Sequence, residues 1–378
     1  MARDGTHAAS LPSPRRAKIY NRTRLVVSIA STSVSLLYLV FLVISGASHT
    51  LAQWAAAITP NPYGSVLLFS FAAGAGQFIL TMPFGYFSGY VVEHRFQLSN
   101  QTLVRWMAEH LKAMAVSLPL AAGGVLVVYA CLLHFGELWW LPTGVILTMV
   151  AVVFARLAPV ILFPIFYSFT PLGDGPLKER IAGMCSAAGV IFTGIFTFNL
   201  SKNTKKANAG FTGIGRAKRI ILGDTLVSEF TVEEIETVFA HELGHYVRHH
   251  ILAGMITGTV ATFLGLFVTS KLYIWSLQAA GLGAPVDLTA LPLLAIWLSL
   301  FGLATSPVGN ILSRRHERQA DRYAVQTTRN PEAYISALRK LAAMNLADPD
   351  PHPLIEFLFY SHPSIQRRVR AAASGGIA

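Results

Sequence analysis

Residues 231–245 read Thr-Val-Glu-Glu-Ile-Glu-Thr-Val-Phe-Ala-His-Glu-Leu-Gly-His. Thr231 and Glu234 have the spacing of a capping box, and Ile235, Val238, Phe239 and Leu243 then recur at helical intervals, so the stretch predicts an amphipathic helix. A turn takes about 3.6 residues, which puts His241 and His245 on one face. Two neutral imidazoles at that spacing can share one Zn²⁺. Glu242 is placed to reach a water activated by such an ion, and to take its proton. The pentad HELGH alone also fits a core helix with two hydrogen-bonded histidines. The rest of the chain decides between these readings.

Working outward, the composition sets the class. Of 378 residues, 53% are hydrophobic and 13% charged, with a mean hydropathy of +0.50. Soluble domains carry about 25% charged residues. Apolar runs at about 25–46, 65–92, 113–133, 141–167, 251–270 and 289–313 each reach the ~20 residues that cross a bilayer. The first is longer than the core of a cleaved signal peptide, so it reads as an uncleaved span. The net charge of +11 sits beside these spans without any nucleic-acid motif, so a nucleic-acid partner is rejected and a lipid bilayer expected. Segments 47–64, 134–140 and 274–288 lack Lys and Arg. That alternation fits six spans with both ends, and HELGH, in the cytosol. Cys131 falls in a span and Cys185 in a polar region, so no disulfide is expected.

The chain thus reads as mainly α, a polytopic membrane protein of about six transmembrane helices. A basic, flexible lead-in covers 1–24. A membrane region of four spans covers 25–167, with an interfacial helix at 93–112 anchored by Trp106. The remainder, 168–378, holds two further spans and the HELGH helix, which can run straight into the fifth span. Leu177–Ala188 reads as a short helix, and 190–199 and 218–222 as strands, with turn residues supplied by 208–215. A small sheet therefore precedes HELGH, and its exposed edge could bind an extended peptide. Arg156, inside the fourth span, is expected to face a wet interior or a local ion pair.

A catalytic zinc needs three protein ligands and an open position. His249 would lie too far along a straight helix, and the position six after His245 is Ile251. Glu317 remains, in Ser313-Arg-Arg-His-Glu-Arg-Gln-Ala-Asp321 just past the sixth span. Asp321, four residues on, shares its face and can orient a ligand histidine by a hydrogen bond. His316 is expected to point elsewhere. After Asn330-Pro331, Tyr334, Ile335, Leu338 and Leu341 mark a packing helix. His362 precedes Pro363 as an N-cap candidate, and a histidine or arginine brought to the site could stabilise an oxyanion.

From about Glu93 to Ala371 the chain resembles the membrane-integral CAAX prenyl protease 1 family, type I CaaX endopeptidases among the gluzincin zinc proteases. The resemblance is carried by RFQLSNQT with LVRW, FTPLGDGPLKERI, NAGFTGIG, KRIILGDTLV, HELGH, SRRHERQAD and SHPSIQRRV, in that order. It implies helices around a large water-filled chamber that contains the protease site. It implies His241, His245 and Glu317 as ligands of one Zn²⁺, Glu242 as general base, and Asp321 as the partner that orients a ligand. Asn208 and Ala209 match the segment that holds the substrate backbone, and His362 and Arg368 match residues near the scissile carbonyl. Eukaryotic members have one more span and longer loops. Here Gly210 replaces an aromatic, and Gln97-Leu98 a Gly-Phe pair.

The function expected is a membrane-embedded zinc endopeptidase acting on a peptide or protein, a prenylated C-terminus among the candidate substrates. Its expected place is a bacterial inner membrane, or the endoplasmic reticulum of a eukaryote. One alternative is a heat-shock type quality-control metalloprotease. Another is a non-catalytic scaffold or transporter with a structural zinc, which would demand a fourth protein ligand.

Overall fold

The computed structural model describes residues 14–212 and 219–374. Its first half holds α1 (Pro14–Ile44), α2 (Ala47–Ile58) and α3 (Pro62–Tyr86), the last continuing through a π-helical stretch, Phe87–Val92, into α4 (Glu93–Arg95). α5 (Leu103–Phe135), α6 (Trp140–Leu157) and α7 (Leu162–Phe166) follow. The second half runs β1 (Phe169–Pro171), α8 (Pro176–Ala187), β2 (Gly194–Phe198), β3 (Ala209–Thr212), β4 (Arg219–Gly223), α9 (Asp224–Glu229), α10 (Val232–Val247), α11 (His250–Ala280), α12 (Leu291–Thr328), α13 (Pro331–Asn345), α14 (Pro353–Phe359) and α15 (Ile365–Ala373). Among the described residues, six helices are long and apolar enough to cross a membrane.

Those six touch in the order α1, α3, α5, α6, α11, α12 and back to α1, a closed ring. Their most apolar windows are only 6–17% buried. The chain exposes 20363 Å², against about 15,000 Å² for a compact chain of its mass. Both are expected of long helices whose outer faces meet lipid rather than protein. One end of the ring is shut by Cys131 and Leu132 of α5, Trp139, Tyr273 and Leu277 of α11 and Leu294 of α12, all buried together. α2, about 18 Å long at 1.5 Å per residue, is too short to cross ~30 Å of hydrocarbon. It packs at that same end, against residues 288–290.

The other end carries the polar half. Its sheet runs β1-β2-β4-β3, with β2 and β4 parallel and the outer pairs antiparallel. Ile195, Ile220 and Leu222 point from it onto Ile181 and Cys185 of α8 and onto Ile235, Phe239 and Leu243 of α10. Each such side chain contributes roughly 1.5–3 kcal/mol by burial. This fixes the apolar face of α10, so the face bearing His241 and His245 must turn the other way. The capping box is present: Glu234 N donates to Thr231 Oγ1 and Thr231 N to Glu234 Oε2.

Several expectations need correction. Of the expected flexible lead-in, 1–24, residues 14–24 are instead the first turns of α1, and 1–13 lie outside the described residues. Tyr20 Oη donates to Glu93 Oε1 at 2.6 Å, and Lys206 Nζ lies 2.9 Å from Glu93 Oε2, which ties α1 and the second span to the polar half. No separate interfacial helix covers 93–112. Leu103 to Lys112 form the start of α5, and Trp106 is buried against Tyr86 and Tyr90. The fourth span ends at Leu157 rather than Tyr167. Arg156, in its last turn, is exposed and makes no hydrogen bond or ion pair among the described residues. Residues 209–212 are a strand where turn chemistry was expected, and the rest of that glycine-rich stretch, 213–215, lies outside the described residues.

Candidate active site

α10 and α12 build the site by crossing at Gly244. A Cβ there would lie 3.0 Å from Tyr323 Cβ and 3.1 Å from Ala320 Cα. The missing side chain lets α12 approach closely enough to place Glu317 opposite both histidines. Gly244→Ala is therefore expected to force the helices apart, costing about 1–3 kcal/mol. Metal content should fall along with Tm; unchanged values of both would contradict this packing role.

His241 Nε2 and His245 Nε2 lie 3.1 Å apart. Glu317 completes the triangle, Oε2 at 3.4 Å from His241 Nε2 and Oε1 at 3.3 Å from His245 Nε2. A tetrahedral ion with bonds near 2.05 Å separates its ligand atoms by about 3.3 Å. The donor set fits as well. Glu317 Oε2 is buried without a hydrogen-bond partner, and a buried unpaired oxygen is costly unless a cation meets it. His241 Nδ1 lies 2.9 Å from Asp321 Oδ1, which leaves Nε2 to face the cluster. Among the described residues this trio is the group able to hold a metal ion.

Asp321 is itself held. Arg368 grips it with Nε at 2.9 Å and an amino nitrogen at 2.6 Å, and Tyr334 Oη donates to Oδ1. Arg368 is thereby committed to Asp321, its charge stabilised by that carboxylate against the cost of burial. His362 is exposed, with Nε2 at 3.3 Å from Glu317 Oε1. It is not an N-cap: α15 starts at Ile365 behind Ser364, and the His362 Nδ1 pairs with Ser361 Oγ. Glu242 makes no hydrogen bond or ion pair among the described residues. Burial pushes its carboxyl above the usual range, and the two histidines oppose that. Ala209 lies on β3, at the sheet edge beside α10, and Asn208 just precedes it. Phe211 of β3 stacks on Tyr246 at 5.2 Å.

One neighbour escapes sequence reasoning. The helix does not run on into the fifth span: it stops at Val247, and His249 takes φ 57° before α11 begins. That left-handed residue brings His250 back, with Nδ1 at 3.0 Å from His245 Nδ1 and Nε2 at 2.8 Å from Gln319 Oε1. On a continuous helix, His250 would stand about 140° from His245. His316 stacks on His250 instead of facing the metal trio.

Comparison with known proteins gives the family. The family described as peptidase family M48 matches residues 171–374. The chain belongs to peptidase family M48. A second family, described as CAAX prenyl protease N-terminal with five membrane helices, matches residues 8–168. Among the described residues that region has four long helices and the short α2. YhfN of Bacillus subtilis, described as an uncharacterized metalloprotease, is 30% identical over 88% of this chain and 78% of its own. CAAX prenyl protease 1 of Saccharomyces cerevisiae is 31% identical over 78% and 68%. The crystal structure of S. mikatae Ste24p superimposes with a TM-score of 0.83 at 25% identity, covering 95% of this chain and 88% of that one. The chain is a membrane-embedded metalloprotease of the M48 family.

Two expectations follow for this M48 site. Without metal, burial disfavours a charged His241, but the Asp321 and Glu317 carboxylates outweigh it and hold its pKa up to about 9. A cation must displace that proton, so uptake at pH 7–8 should release about one proton. Calorimetry in buffers of different ionisation enthalpy reads this directly, and zero release would contradict it. Asp321→Asn keeps the shape but loses the acceptor charge that orients His241. Metal affinity or turnover should drop about 10–100-fold.

Proposed function

We propose that the chain is a zinc endopeptidase that cuts near the C-terminus of prenylated substrates at the cytosolic face of a bacterial inner membrane. The observation that carries this is the convergence of His241, His245 and Glu317 beside an unpaired Glu242, at the end of the helix ring that carries the polar half. His/His/Glu is a donor set suited to one Zn²⁺. Bound there, zinc would polarise the scissile carbonyl and acidify a water.

The remaining chemistry belongs to side chains. Glu242 takes one proton from the attacking water as its oxygen bonds to the carbonyl carbon. It then delivers that proton to the nitrogen as the C–N bond breaks. His362, exposed beside Glu317, is the donor for the carbonyl oxygen as charge develops there. Arg368 acts through Asp321 as a positioning residue. The free edge of β3, at Asn208 and Ala209, holds the substrate backbone as an added strand. Arg156 would face a wet interior of the helix ring, where water meets its charge. The Lys and Arg distribution supports the cytosolic orientation. The similarity to CAAX prenyl protease 1 supports the substrate class.

Mass spectrometry of a farnesylated CaaX peptide, its unfarnesylated twin and an unfolded membrane protein tests this reading. Release of the last three residues from the farnesylated peptide is expected. Cleavage of the unfolded protein alone would favour quality control. Solute flux without proteolysis would favour a transporter.

A further inference from the structure

Behind the metal trio lies a second concavity, of about 190 Å³, between α12, α14 and α15. Five arginines line it: Arg314, Arg318 and Arg322 from α12, and Arg367 and Arg368 from α15. Two carboxylates, Asp321 and Glu356, oppose them. Arg368 is matched by Asp321, and Arg367 by Glu356 at 3.3 Å. The other three have no acidic partner. Arg314 is only 8% exposed, yet one of its amino nitrogens meets nothing but the carbonyl oxygens of Glu356, Phe357 and Tyr360. Arg318 and Arg322 make no hydrogen bond or ion pair among the described residues. Arg314 is a buried guanidinium without a counter-charge, which is costly, and Arg318 and Arg322 stand exposed beside it with uncommitted charge, so this wall is poised for an anion.

The chemistry of the wall narrows the anion. Glu356 Oε2 is buried and has no hydrogen-bond partner, so the occupant should also bring a donor. A peptide's last residue offers both groups, a carboxylate and a backbone N–H; a sulfate ion offers no donor. The two sites also adjoin. Arg368, shared by both sites, lies 3.9 Å from Glu317 Oε2, so the pocket begins one guanidinium away from the metal site. Three residues beyond a scissile bond reach up to about 10 Å when extended.

We propose that this pocket receives the free α-carboxylate at the substrate's C-terminus, held by Arg314, Arg318 and Arg322, with Glu356 Oε2 accepting the last backbone N–H. The proposal rests on the protease reading and adds the feature that measures where the cut falls. An enzyme that locates its cut this way discriminates between a chain end and an internal segment.

The test compares two farnesylated peptides of one sequence, ending three residues past the cut in a carboxylate or a carboxamide. Each is given to the full-length, metal-loaded protein and to an Arg318→Gln/Arg322→Gln double variant. Both arginines are exposed, so the fold should tolerate the change. A charge-assisted hydrogen bond corresponds to about tenfold or more. The wild type should show a KM for the carboxamide at least tenfold higher, with kcat little changed. In the double variant the KM for the free acid should rise toward that of the carboxamide. Equal KM values in the wild type, or full discrimination in the double variant, would overturn the pocket assignment while leaving the protease intact. Cleavage of neither peptide by the wild type would instead remove the protease reading, and the pocket's role with it.

Discussion

Replacing Glu242 by glutamine should lower kcat by about 10³-fold or more while the protein keeps one metal ion per chain. General-base catalysis is worth roughly 10²–10⁴-fold, and here one carboxylate both accepts the water's proton and returns it to the leaving nitrogen. The substitution is nearly isosteric. Glu242 makes no hydrogen bond or ion pair among the described residues, so no structural partner is stranded. Because burial already disfavours its charged form, a neutral amide costs the fold little. The expected signature is therefore selective: turnover collapses while Tm and metal content hold. A parallel loss of metal would move Glu242 from the base to the ligand set.

The second large effect is expected at Glu317. Structural zinc sites bind with roughly 10–16 kcal/mol shared over four ligands, or about 2.5–4 kcal/mol each. Losing one ligand then weakens binding by on the order of 10²–10³-fold. Glu317→Ala should empty the site at ordinary zinc concentrations and abolish turnover with it. A further consequence is local. Glu317 lies within 3.4 Å of both ligand histidines and 3.9 Å from Arg368, so its removal leaves cationic or protonatable groups facing one another. Glu317→Gln, which restores the volume without the charge, should recover neither the metal nor the full Tm. Retention of tightly bound zinc in the alanine variant would mean that another residue is the third ligand.

These effects can be named in advance because much of the site was legible in the sequence. The capping box at Thr231 and the apolar positions 235, 239 and 243 require α10 to bury one face, and that decides where His241 and His245 point. Glu317 and Asp321 follow from their four-residue spacing beyond an apolar span. The spans were legible from length and hydropathy, since a bilayer asks each of them for some twenty apolar residues.

What stayed hidden depends on backbone geometry or on distant partners. His250 reaches His245 only because His249 adopts a left-handed conformation, for which no glycine or asparagine gives warning. β3 hides in a stretch of Asn, Gly and Thr, where turn propensity and an edge strand look alike. The role of Tyr334 could be read only as packing, because its hydroxyl meets Asp321 from another helix. The first turns of α1 looked like a basic tail because the groups they meet, Glu93 and Lys206, are far away in sequence.

The most direct test of the account follows bound zinc and turnover on one sample. Zinc would be stripped by a chelator, returned in substoichiometric steps, and quantified beside single-turnover cleavage of a farnesylated CaaX peptide. The account predicts that activity disappears on stripping and returns in proportion to bound zinc, saturating at one ion per chain. Cleavage that persists in protein free of metal would contradict it.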